Sequence, residues 1–393
     1  MSEWIEHTLG EVCSRLKSGS NITAKDIHEA GRFPVFGGNG IRGYAAEANF
    51  SGECAIIGRQ GAYCGNVRYF RGEARMSEHA IVACAGPSHH TRFLAYLLST
   101  MNLGSLSGQA AQPGLSVKVL AQQTVRMPPL ETQRRIAAIL GAYDDLIEVN
   151  RRRVAVLEEM TLGLFEEWFV RLRFPGNETV PIVETPDGPL PAGWSLRALH
   201  EVSSFINRGI APKYDNASAT VVVNQKCIRD GRLSLTLARR QSKVPPPAKL
   251  VQVGDVLINS TGVGTLGRLA QVEEAPEGLT VDSHVTIVRP ASLDDRDFLG
   301  IKLLSLQSTF EHLGAGSTGQ TELSRHAVGA QLIAWPTNDL RASFGRLVRP
   351  MRSLAHGLLR HNEKLAASRD LLLPRLISGQ LSVAAAEHEL EAA

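Results

Sequence analysis

A glycine-flanked loop at residues 58–63 carries arginine, glutamine and tyrosine in the order Gly-Arg-Gln-Gly-Ala-Tyr. The forked donors and acceptors of arginine, glutamine and asparagine match the edges of guanine and adenine. A second loop, residues 259–264, reads Asn-Ser-Thr-Gly-Val-Gly, and Arg268 lies beyond it. Two loops of this kind in one chain predict two separate surfaces suited to reading bases.

Other polar loops recur in corresponding places of the two halves. Residues 17–19 correspond to residues 207–209, and residues 107–116 resemble residues 316–324. Small and amide residues on loops let the backbone approach phosphates. The candidate DNA-contacting residues are Lys17, Ser18, Asn39, Arg42, Tyr44, Arg59, Gln60, Tyr63, Gln109, Gln112, Asn207, Arg208, Lys213, Asn259, Ser260, Thr261, Arg268, Ser317, Thr318 and Gln320.

A glycine-rich motif offers an alternative chemistry. Residues 38–43 match GxGxxG, and with Phe36 they also match FxGxG, a pattern of AdoMet-binding methyltransferases. The preceding run 33–36 is short and contains a proline, and no long helix follows, so the context of a dinucleotide-binding motif is missing. We predict a turn at this position.

The remaining catalytic motifs are absent or weak. The chain contains neither a GxxxxGK[ST] phosphate loop nor a [DN]PP[YF] motif for adenine methylation. His79 and His284 recur in both halves and could act as general bases, but a structural histidine before a strand is the favoured interpretation. Neither His89-His90 nor the cysteines show metal-ligand spacing. We expect no catalytic residue, no metal and no bound cofactor in this chain.

Length and composition place the chain in a broad class. At 393 residues it is too long for one hydrophobic core, so two to three domains are expected. No apolar run approaches the length of a membrane span, and the first residues lack the features of a secretory signal. Five scattered cysteines without a CxxC pair indicate reduced thiols in a cytoplasmic protein. A net charge of only +3 excludes little.

Two long heptad patterns must position these loops. The first, from Glu131 to about Leu172, predicts a helix about 60 Å long. In the second pattern, Pro350 is expected to kink or divide the helix, and Pro374 to bend it. The predicted seam residues are Ile136, Leu140, Tyr143, Ile147, Asn150, Val154, Leu157, Phe344, Leu347, Met351, Leu354, Leu358 and Leu365.

The chain repeats its layout. Trp4, Leu9, Glu11 and Val12 have the same spacing as the corresponding residues that start at Trp194. A pseudo-two-fold repeat would make the two long helices antiparallel, so that their seams bury each other and Asn150 fixes the register. The alternative is that each helix packs on its own domain. The predicted α+β fold comprises a mixed α/β domain at 1–128, a helix at 129–173, a linker at 174–193, a second domain at 194–336, a second helix at 337–381 and a tail at 382–393.

From Trp4 to about Leu381 the sequence resembles the specificity subunit of type I restriction-modification systems. The residues that carry this resemblance are Trp4 with Leu9–Val12, the run Phe33–Ile41, the helix start Pro128–Gln133 with Ile136, Leu140, Asp144, Ile147 and Asn150, and the run Leu373–Gly379. The resemblance implies two target-recognition domains held apart by an intramolecular antiparallel coiled coil. Each domain would read one half of a bipartite, asymmetric site in double-stranded DNA.

The resemblance also implies partners and where their cofactors bind. Two modification subunits, which carry AdoMet and the adenine N6 chemistry, would dock on the coiled coil and its flanking regions. Restriction subunits that use ATP and Mg²⁺ would join for translocation and cleavage. The helix-start motif is intact at residues 128–133 and degenerates at residues 336–340, so docking of the second modification subunit could be asymmetric or weaker.

Three other functions remain open at this point. The chain could be a coiled-coil scaffold that binds proteins and reads no DNA. It could be an independent methyltransferase that uses residues 38–43. It could also be the specificity subunit of a system that only methylates, a difference that resides in the partners.

Overall fold

A computed structural model of the chain describes residues 4–107, 114–186, 188–314 and 322–391, without the side chains of 389–391. The chain divides into two compact units. Unit 1 comprises residues 1–150 and 361–393, and unit 2 comprises residues 151–360. Each unit combines sheets with helices, which confirms the α+β class. Among the described residues, no helix has both the length and the apolarity to cross a membrane.

Unit 1 is built around a six-stranded sheet. Its first elements are β1 (Ile5–Thr8), α1 (Leu9–Val12), β2 (Cys13–Ser18), β3 (Phe33–Gly37), β4 (Gly40–Ala45), β5 (Phe50–Gly58), β6 (Val67–Met76) and β7 (Ala80–Ala85). The strand order is β2-β7-β5-β6-β3-β4, and only the β3–β6 pair is parallel. The predicted strands at residues 55–57 and 80–83 are confirmed.

Helices cover the apolar face of this sheet. The elements that follow are α2 (Thr91–Thr100), α3 (Val117–Ala121), β8 (Thr124–Met127) and α4 (Leu130–Phe165). Strand β8, which directly precedes α4, pairs antiparallel with β1, so the first strand of unit 1 lies beside the start of α4. Phe93 and Leu94 of α2 pack against Ile57 and Ile81 of the sheet, and all four side chains are fully buried.

Unit 2 has smaller sheets. Its strands are β9 (Ile182–Thr185), β10 (Gly188–Pro191), β11 (Ser195–Ala198), β12 (Ser203–Arg208), β13 (Val221–Val223), β14 (Ile228–Arg229), β15 (Arg232–Leu233), β16 (Arg239–Arg240), β17 (Val256–Asn259), β18 (Leu269–Gln271), β19 (Thr280–Val281), β20 (Val285–Pro290) and β21 (Leu332–Trp335). The main sheets have the orders β12-β20-β17-β18 and β16-β13-β19. The pair β11–β21 is antiparallel, as β1–β8 is in unit 1.

Four helices of the second half follow these sheets or lie between their strands: α5 (Arg296–Leu304), α6 (Gln307–Leu313), α7 (Arg325–Gly329) and α8 (Asn338–Ile377). Phe298 of α5 and Phe344 of α8 are buried in one aromatic core with Phe165. The predicted linker at 174–193 needs a correction, because β9 and β10 form an antiparallel hairpin inside it. Pro and Gly residues there mark turns around short strands rather than an extended connector.

The C-terminal residues also have a defined structure. Helix α9 (Val383–Glu391) occupies the segment that the sequence analysis treated as a tail. Val383 and Ala386 are buried in the same core as Phe93, and Arg135 of α4 forms an ion pair with Glu387. Two buried small apolar residues three positions apart on one short helix are a weak signal, which explains why the sequence alone missed the helix.

The seven predicted seam positions of α4 are buried or half-buried. Ile136, Leu140, Ile147, Asn150 and Val154 are at most 4% exposed, and the remaining two predicted positions are half-buried. A four-three alternation on a helix keeps such positions on one face. The helix then continues as a short π-helix, Glu166–Val170.

The seam prediction for α8 is partly wrong. Leu347 and Leu354 are 48% and 55% exposed, whereas Val348 and Ala355 are buried. The other predicted positions, Phe344, Met351, Leu358 and Leu365, are buried or half-buried. The prediction is wrong by one residue at two positions, so the buried or half-buried residues are 344, 348, 351, 355 and 358. At both positions the larger leucine lies next to the smaller residue that is buried, and the apolar pattern favours the leucine.

Pro350 does not divide α8, which runs without interruption from Asn338 to Ile377. Proline lacks the N–H that would bond to residue 346, so the helix loses one backbone hydrogen bond there. The ion pair between Arg349 and Asp297 and that between Arg352 and Glu273 flank this position and attach the helix to the body of unit 2. Tertiary contacts therefore offset a local preference against the helix.

Within unit 1, the ends of α4 and α8 run antiparallel. Asn150 Nδ2 donates to Asn362 Oδ1 at 2.9 Å, and Asn362 Nδ2 donates to the carbonyl oxygen of Ile147 at 3.3 Å. Six residues earlier on α4, Asp144 pairs with Arg369, which is seven residues later on α8. Within unit 2, the Phe165 and Phe344 rings lie 6.0 Å apart.

Candidate nucleic-acid interface

In unit 1, the first two residues of the GxGxxG motif form the predicted turn, a hairpin turn between β3 and β4, and the rest of the motif continues into β4. Gly38 lies against the loop at residues 58–63. A Cβ atom on Gly38 would lie 3.1 Å from the carbonyl oxygen of Gln60 and 3.5 Å from that of His79. Any larger residue would push the turn away from these carbonyl groups, so glycine serves close packing between loops here.

Backbone hydrogen bonds join this loop to two other segments. The Arg59 N–H donates to the carbonyl oxygen of His79 at 2.9 Å, and the Leu115 N–H donates to the carbonyl oxygen of Arg59 at 2.8 Å. Gln60 forms a β-bridge with Gly114. Arg59 Nη1 donates to the carbonyl oxygen of Glu78 at 3.3 Å. The hairpin turn and these segments therefore form one rigid edge of the sheet.

Several predicted contact residues lie on this edge with polar groups free for a ligand. Asn39, Arg42, Gln60 and Tyr63 are exposed, and Lys17 is exposed near the end of β2, close to His79 through the bond from the Gly19 N–H to Ala80. Ser18 is half-buried beside them. Tyr44 is not brought to this edge, because it lies further along β4 and bridges His28.

Arg68 also lies at this edge, although it was not predicted from the sequence. Its guanidinium carbon lies 3.2 Å from the point where a Cβ on Gly40 would stand, so it lies beside the hairpin turn. Within the described ranges, neither Arg68 nor Arg42 has a carboxylate partner. Arg68 lies at the start of a strand and has no motif around it, so only the folded arrangement identifies it.

Unit 2 repeats the backbone pattern of this edge. The Ser260 N–H donates to the carbonyl oxygen of His284 at 2.8 Å, and the Leu323 N–H donates to the carbonyl oxygen of Ser260 at 2.8 Å. Thr261 forms a β-bridge with Glu322. These three contacts correspond one for one to those of Arg59 and Gln60 in unit 1. The loops at residues 58–63 and 259–264 therefore have equivalent places in their units.

Two predicted contacts in unit 2 need correction. Asn259 and Ser260 have no exposed surface. Asn259 Nδ2 donates to the carbonyl oxygens of Gln225 and Thr265, and the Ser260 hydroxyl bonds to that of Thr286. Both side chains are buried under the loop and hydrogen-bonded within the protein, so they cannot contact bases in this arrangement. Polar residues in a loop can satisfy the loop's own backbone as readily as a ligand, and sequence does not separate the two roles.

Other predicted residues of unit 2 are also engaged within the protein. Arg208 pairs with Glu322 at 2.6 Å and donates to the carbonyl oxygen of Leu323. Asn207 Oδ1 accepts from Arg325 Nη1 at 3.2 Å. The Thr261 hydroxyl lies 2.9 Å from His284 Nδ1. These three side chains join the strand end, the loop and the start of α7 into one edge.

The outer surface of this edge carries different groups from that of unit 1. Val263 is 95% exposed at the loop tip, between Gly262 and Gly264 with φ angles of 103° and 72°. Arg268 lines an open cleft of about 560 Å³ together with Arg229 and Gln307. Val263, Arg229 and Gln307 were not identified from sequence. A lone valine carries no motif, and the other two are distant in the chain.

Five predicted residues lie outside the described residues and stay predictions. They are Gln109, Gln112, Ser317, Thr318 and Gln320. In the sequence they precede Leu115 and Leu323, and those two described residues donate backbone hydrogen bonds to Arg59 and Ser260.

The candidate catalytic groups show structural surroundings. His79 lies 3.0 Å from Glu78, and Asp282 accepts from the His284 N–H. Burial raises the pKa of Asp282. Burial also raises the pKa of the Cys13 and Cys54 thiols to about 12, so neither provides a thiolate near neutral pH. Across the described part of the chain, no three His, Cys, Asp or Glu side chains are placed to hold a metal ion.

The two helix starts share one anchoring contact. Gln133 is buried and donates through Nε2 to the carbonyl oxygen of Pro128 at 2.7 Å. Arg341, five residues after Pro336 as Gln133 is after Pro128, donates to the Pro336 carbonyl oxygen and pairs with Asp295 at 2.7 Å. The degenerate second motif therefore keeps the anchoring contact of the first with a different side chain.

Residues 1–159 match the model of the type I restriction modification DNA specificity domain family. The chain is 41% identical over 143 residues to the EcoprrI specificity subunit of Escherichia coli, and 24% identical over 306 residues to the MjaIX specificity subunit of Methanocaldococcus jannaschii. Its fold resembles the crystal structure of a type I restriction-modification S subunit from M. genitalium, with a TM-score of 0.69 at 15% identity. The first 159 residues are therefore similar to the DNA specificity domain of type I restriction-modification systems.

The similarities to this family differ in extent. The match to EcoprrI covers 35% of this chain and 35% of that subunit, whereas the match to MjaIX covers 75% and 69%. The structural match covers 95% of this chain and 96% of the M. genitalium chain. The similarity in fold to that one chain therefore includes residues of both units, while the 41% sequence identity is confined to about a third of the chain.

Proposed function

We propose that this chain is the DNA-specificity subunit of a type I restriction-modification complex and that each unit reads one half of a bipartite, asymmetric site. The observation that carries this proposal is the pair of equivalent edges. Unit 1 and unit 2 hold their loops by corresponding backbone hydrogen bonds, at Arg59 and at Ser260. A shared scaffold with different outward side chains is suited to reading two different sequences.

The outward side chains support different half-sites. Arginine, glutamine and asparagine on the edge of unit 1 match purine edges in the major groove. The loop tip of unit 2 presents Val263, and an apolar side chain suits the thymine methyl group. Base contacts rather than phosphate contacts specify sequence, so unequal edges imply an asymmetric site.

The long helices are proposed to form the antiparallel coiled coil that sets the length of the unread spacer. The pairing of Asn150 with Asn362 inside unit 1 supports this proposal. A buried amide pair at one seam position favours one register, because any shift would leave both amides without partners. A fixed register gives a fixed spacer.

The proposal assigns the chemistry to partner subunits. Two modification subunits would bring AdoMet for adenine N6 methylation, and restriction subunits would bring ATP and Mg²⁺. This chain would select the site and would catalyse no step. The shared anchoring contact of Gln133 and Arg341 gives both helix starts a defined position, although their exposed residues differ. Unequal docking of the two modification subunits therefore depends on those exposed residues.

The decisive test maps N6-methyladenine across the host genome with and without this gene. Loss of one asymmetric, bipartite methylated motif upon deletion, and its return upon complementation, would support the proposal. An unchanged methylome in cells that express the chain together with its modification subunit would contradict it and favour a protein scaffold. Methylation without cleavage of unmodified DNA would indicate a methylation-only system.

Exchange of Gln60 for Ala is expected to relax recognition of the first half-site alone. Gln60 is exposed on the edge of unit 1, and loss of a base-reading side chain costs about 1–3 kcal/mol of discrimination, or about 5- to 150-fold. The same size of effect is expected for Arg59, whose side chain is steadied by the Glu78 carbonyl oxygen. Methylation rates on DNA with single substitutions in either half-site measure the effect.

Gln122, exposed at the end of α3, provides the matched control. Gln122→Ala removes the same groups away from the edge and should leave both half-sites unchanged. Equal relaxation of both half-sites by Gln60→Ala would show that one unit does not read one half-site.

A further inference from the structure

One segment of unit 2 has a charge that the base-reading edge does not explain. Residues 208–249 contain nine Lys or Arg and two Asp or Glu, a net charge of +7, although the whole chain carries +3. Two of these cations have firm carboxylate partners: Arg208 pairs with Glu322 and Arg232 pairs with Glu158, each at 2.6 Å. The others require another explanation.

Five of the remaining cations gather on one surface. The basic surface consists of Lys213, Arg239, Arg240, Lys243 and Lys249. The chain at residues 209–215 runs beside residues 239–243: the Ser242 N–H donates to the Lys213 carbonyl oxygen at 2.8 Å, and the Asp215 N–H donates to the Arg240 carbonyl oxygen at 3.1 Å. These two contacts bring together positions that lie 29 and 25 residues apart in the sequence.

Four of the five cations of the basic surface are held in place by contacts that do not neutralise them. Lys243 and Lys249 donate from Nζ to the carbonyl oxygens of Ala211 and Gly209, and Arg240 Nη1 donates to that of Ser218. The Arg239 guanidinium stacks 3.3 Å above the centre of the Tyr214 ring. Among the described residues, no carboxylate lies within ion-pair distance of any of the five. Their charges therefore remain available to an anion.

The basic surface adjoins the recognition edge of the same unit. Gln225 Nε2 donates to the Thr261 hydroxyl in the loop at 2.6 Å, and Asn224 Nδ2 donates to the carbonyl oxygen of Leu237 at 2.8 Å, two residues before Arg239. A duplex that lay on the recognition edge would therefore have phosphates within reach of these cations. Charged side chains can keep an edge strand from pairing with another chain, which would account for Arg239 and Arg240 of β16. It would not account for the three lysines of the basic surface.

We infer that the basic surface binds the DNA phosphate backbone next to the half-site read by unit 2. This inference rests on the proposed function. Contacts to phosphates add affinity without sequence information, and each neutralised phosphate releases bound counterions. The basic surface would hold DNA in register while the loop tip and the Arg268 cleft read bases.

The test compares three variants of the full chain in the purified complex with its modification subunit. Arg239→Gln with Arg240→Gln removes two charges from the basic surface. Arg239→Lys with Arg240→Lys keeps the charges. Arg173→Gln with Arg197→Gln removes two exposed charges elsewhere in unit 2, so it matches the first variant in net charge.

The measurement is the dependence of the DNA-binding constant on salt, for cognate DNA and for DNA with either half-site scrambled. We expect the Gln pair to reduce the slope of log K against log salt by about 2, with the ratio of cognate to scrambled binding unchanged. The Lys pair and the distant Gln pair should retain the wild-type slope. Thermal unfolding of each variant establishes that unit 2 is folded.

Four results would overturn the inference, three of them directly. These are an unchanged slope in the Gln pair, an equal loss in the distant pair, and a loss of selectivity at the second half-site. Equal losses in the Lys and Gln pairs would mean a structural role and would also overturn it. If the wild-type complex itself failed to prefer cognate DNA, the proposed function would fail instead, so the two failures are distinguishable.

Discussion

Replacement of Arg289 by Met is expected to destabilise unit 2 by about 3–5 kcal/mol, because it leaves a buried carboxylate without its partner. Arg289 Nε and Nη2 each donate to Asp255 at 2.8 Å, and Nη2 also donates to the Leu250 carbonyl oxygen. The Asp255 side chain is 1% exposed. Water cannot replace the lost hydrogen bonds at such a position.

Denaturant unfolding followed by tryptophan fluorescence would measure this loss. Three of the four tryptophans, Trp168, Trp194 and Trp335, belong to unit 2, so the signal reports mainly on that unit. The double variant Arg289→Met with Asp255→Leu is the control. It replaces both charges by apolar groups and should recover most of the loss. A double variant no more stable than Arg289→Met would show that the ion pair is not the cause.

The loss of stability in Arg289→Met should depend on pH. Burial raises the pKa of Asp255 even beside Arg289, which lowers it in part. A folded-state pKa above the unfolded value means that the proton favours the folded state, and this contribution is lost as pH rises through the folded pKa. Without Arg289 the pKa rises further. The stability difference from wild type should therefore become smaller as pH falls through the raised pKa of Asp255 in the variant.

Exchange of Gly209 for Ala is expected to displace the end of β12 and to weaken recognition of the second half-site. A Cβ atom there would lie 1.9 Å from the carbonyl oxygen of Val281 and 2.5 Å from that of Asp282. Both contacts are with backbone, which cannot rotate away, so the strand must move. Overpacking of this kind costs about 1–3 kcal/mol or more. Methylation rates on DNA altered in one half-site at a time would show the effect.

Gly357 provides the matched control for this exchange. It lies within α8, and a Cβ atom there would meet nothing within 4 Å. Gly357→Ala should leave recognition unchanged and stabilise the helix by up to about 1 kcal/mol. Wild-type selectivity in Gly209→Ala would mean that the edge tolerates movement at Gly209. That result would contradict the expectation that this edge must keep its position to recognise the second half-site.

Patterns within one element were predictable from sequence. The four-three spacing of Ile136, Leu140 and Ile147 indicated which face of α4 is buried, because helix geometry alone places those positions together. The hairpin turn at residues 38–43 was predictable because glycines without a following helix favour a turn. The matched spacing after Trp4 and Trp194 identified two segments whose strands, β1 and β11, make corresponding pairs.

Choices between near-equal local alternatives were not predictable. On α8, Leu347 and Val348 compete for one seam position, and leucine is the more apolar choice by size. The seam contains Val348 because the aromatic core around Phe344 and Trp168 lies on that side of the helix. Likewise, a proline within a helix is unfavourable by itself, and ion pairs to the body of unit 2 attach α8 on both sides of Pro350.

The sequence by itself determined the two-part layout of this protein and which loops correspond in the two halves, because each depends on residue types and spacings along the chain. Tertiary structure alone decided which loop side chains are free. Asn259 and Gln60 are both polar loop residues, yet Gln60 is exposed whereas Asn259 is buried and donates to the carbonyl oxygens of Gln225 and Thr265. The basic surface depends on packing too, since the backbone bonds of Lys213 and Arg240 join distant segments. Hydrogen bonds between segments far apart in the chain decide exposure, and no local pattern encodes them.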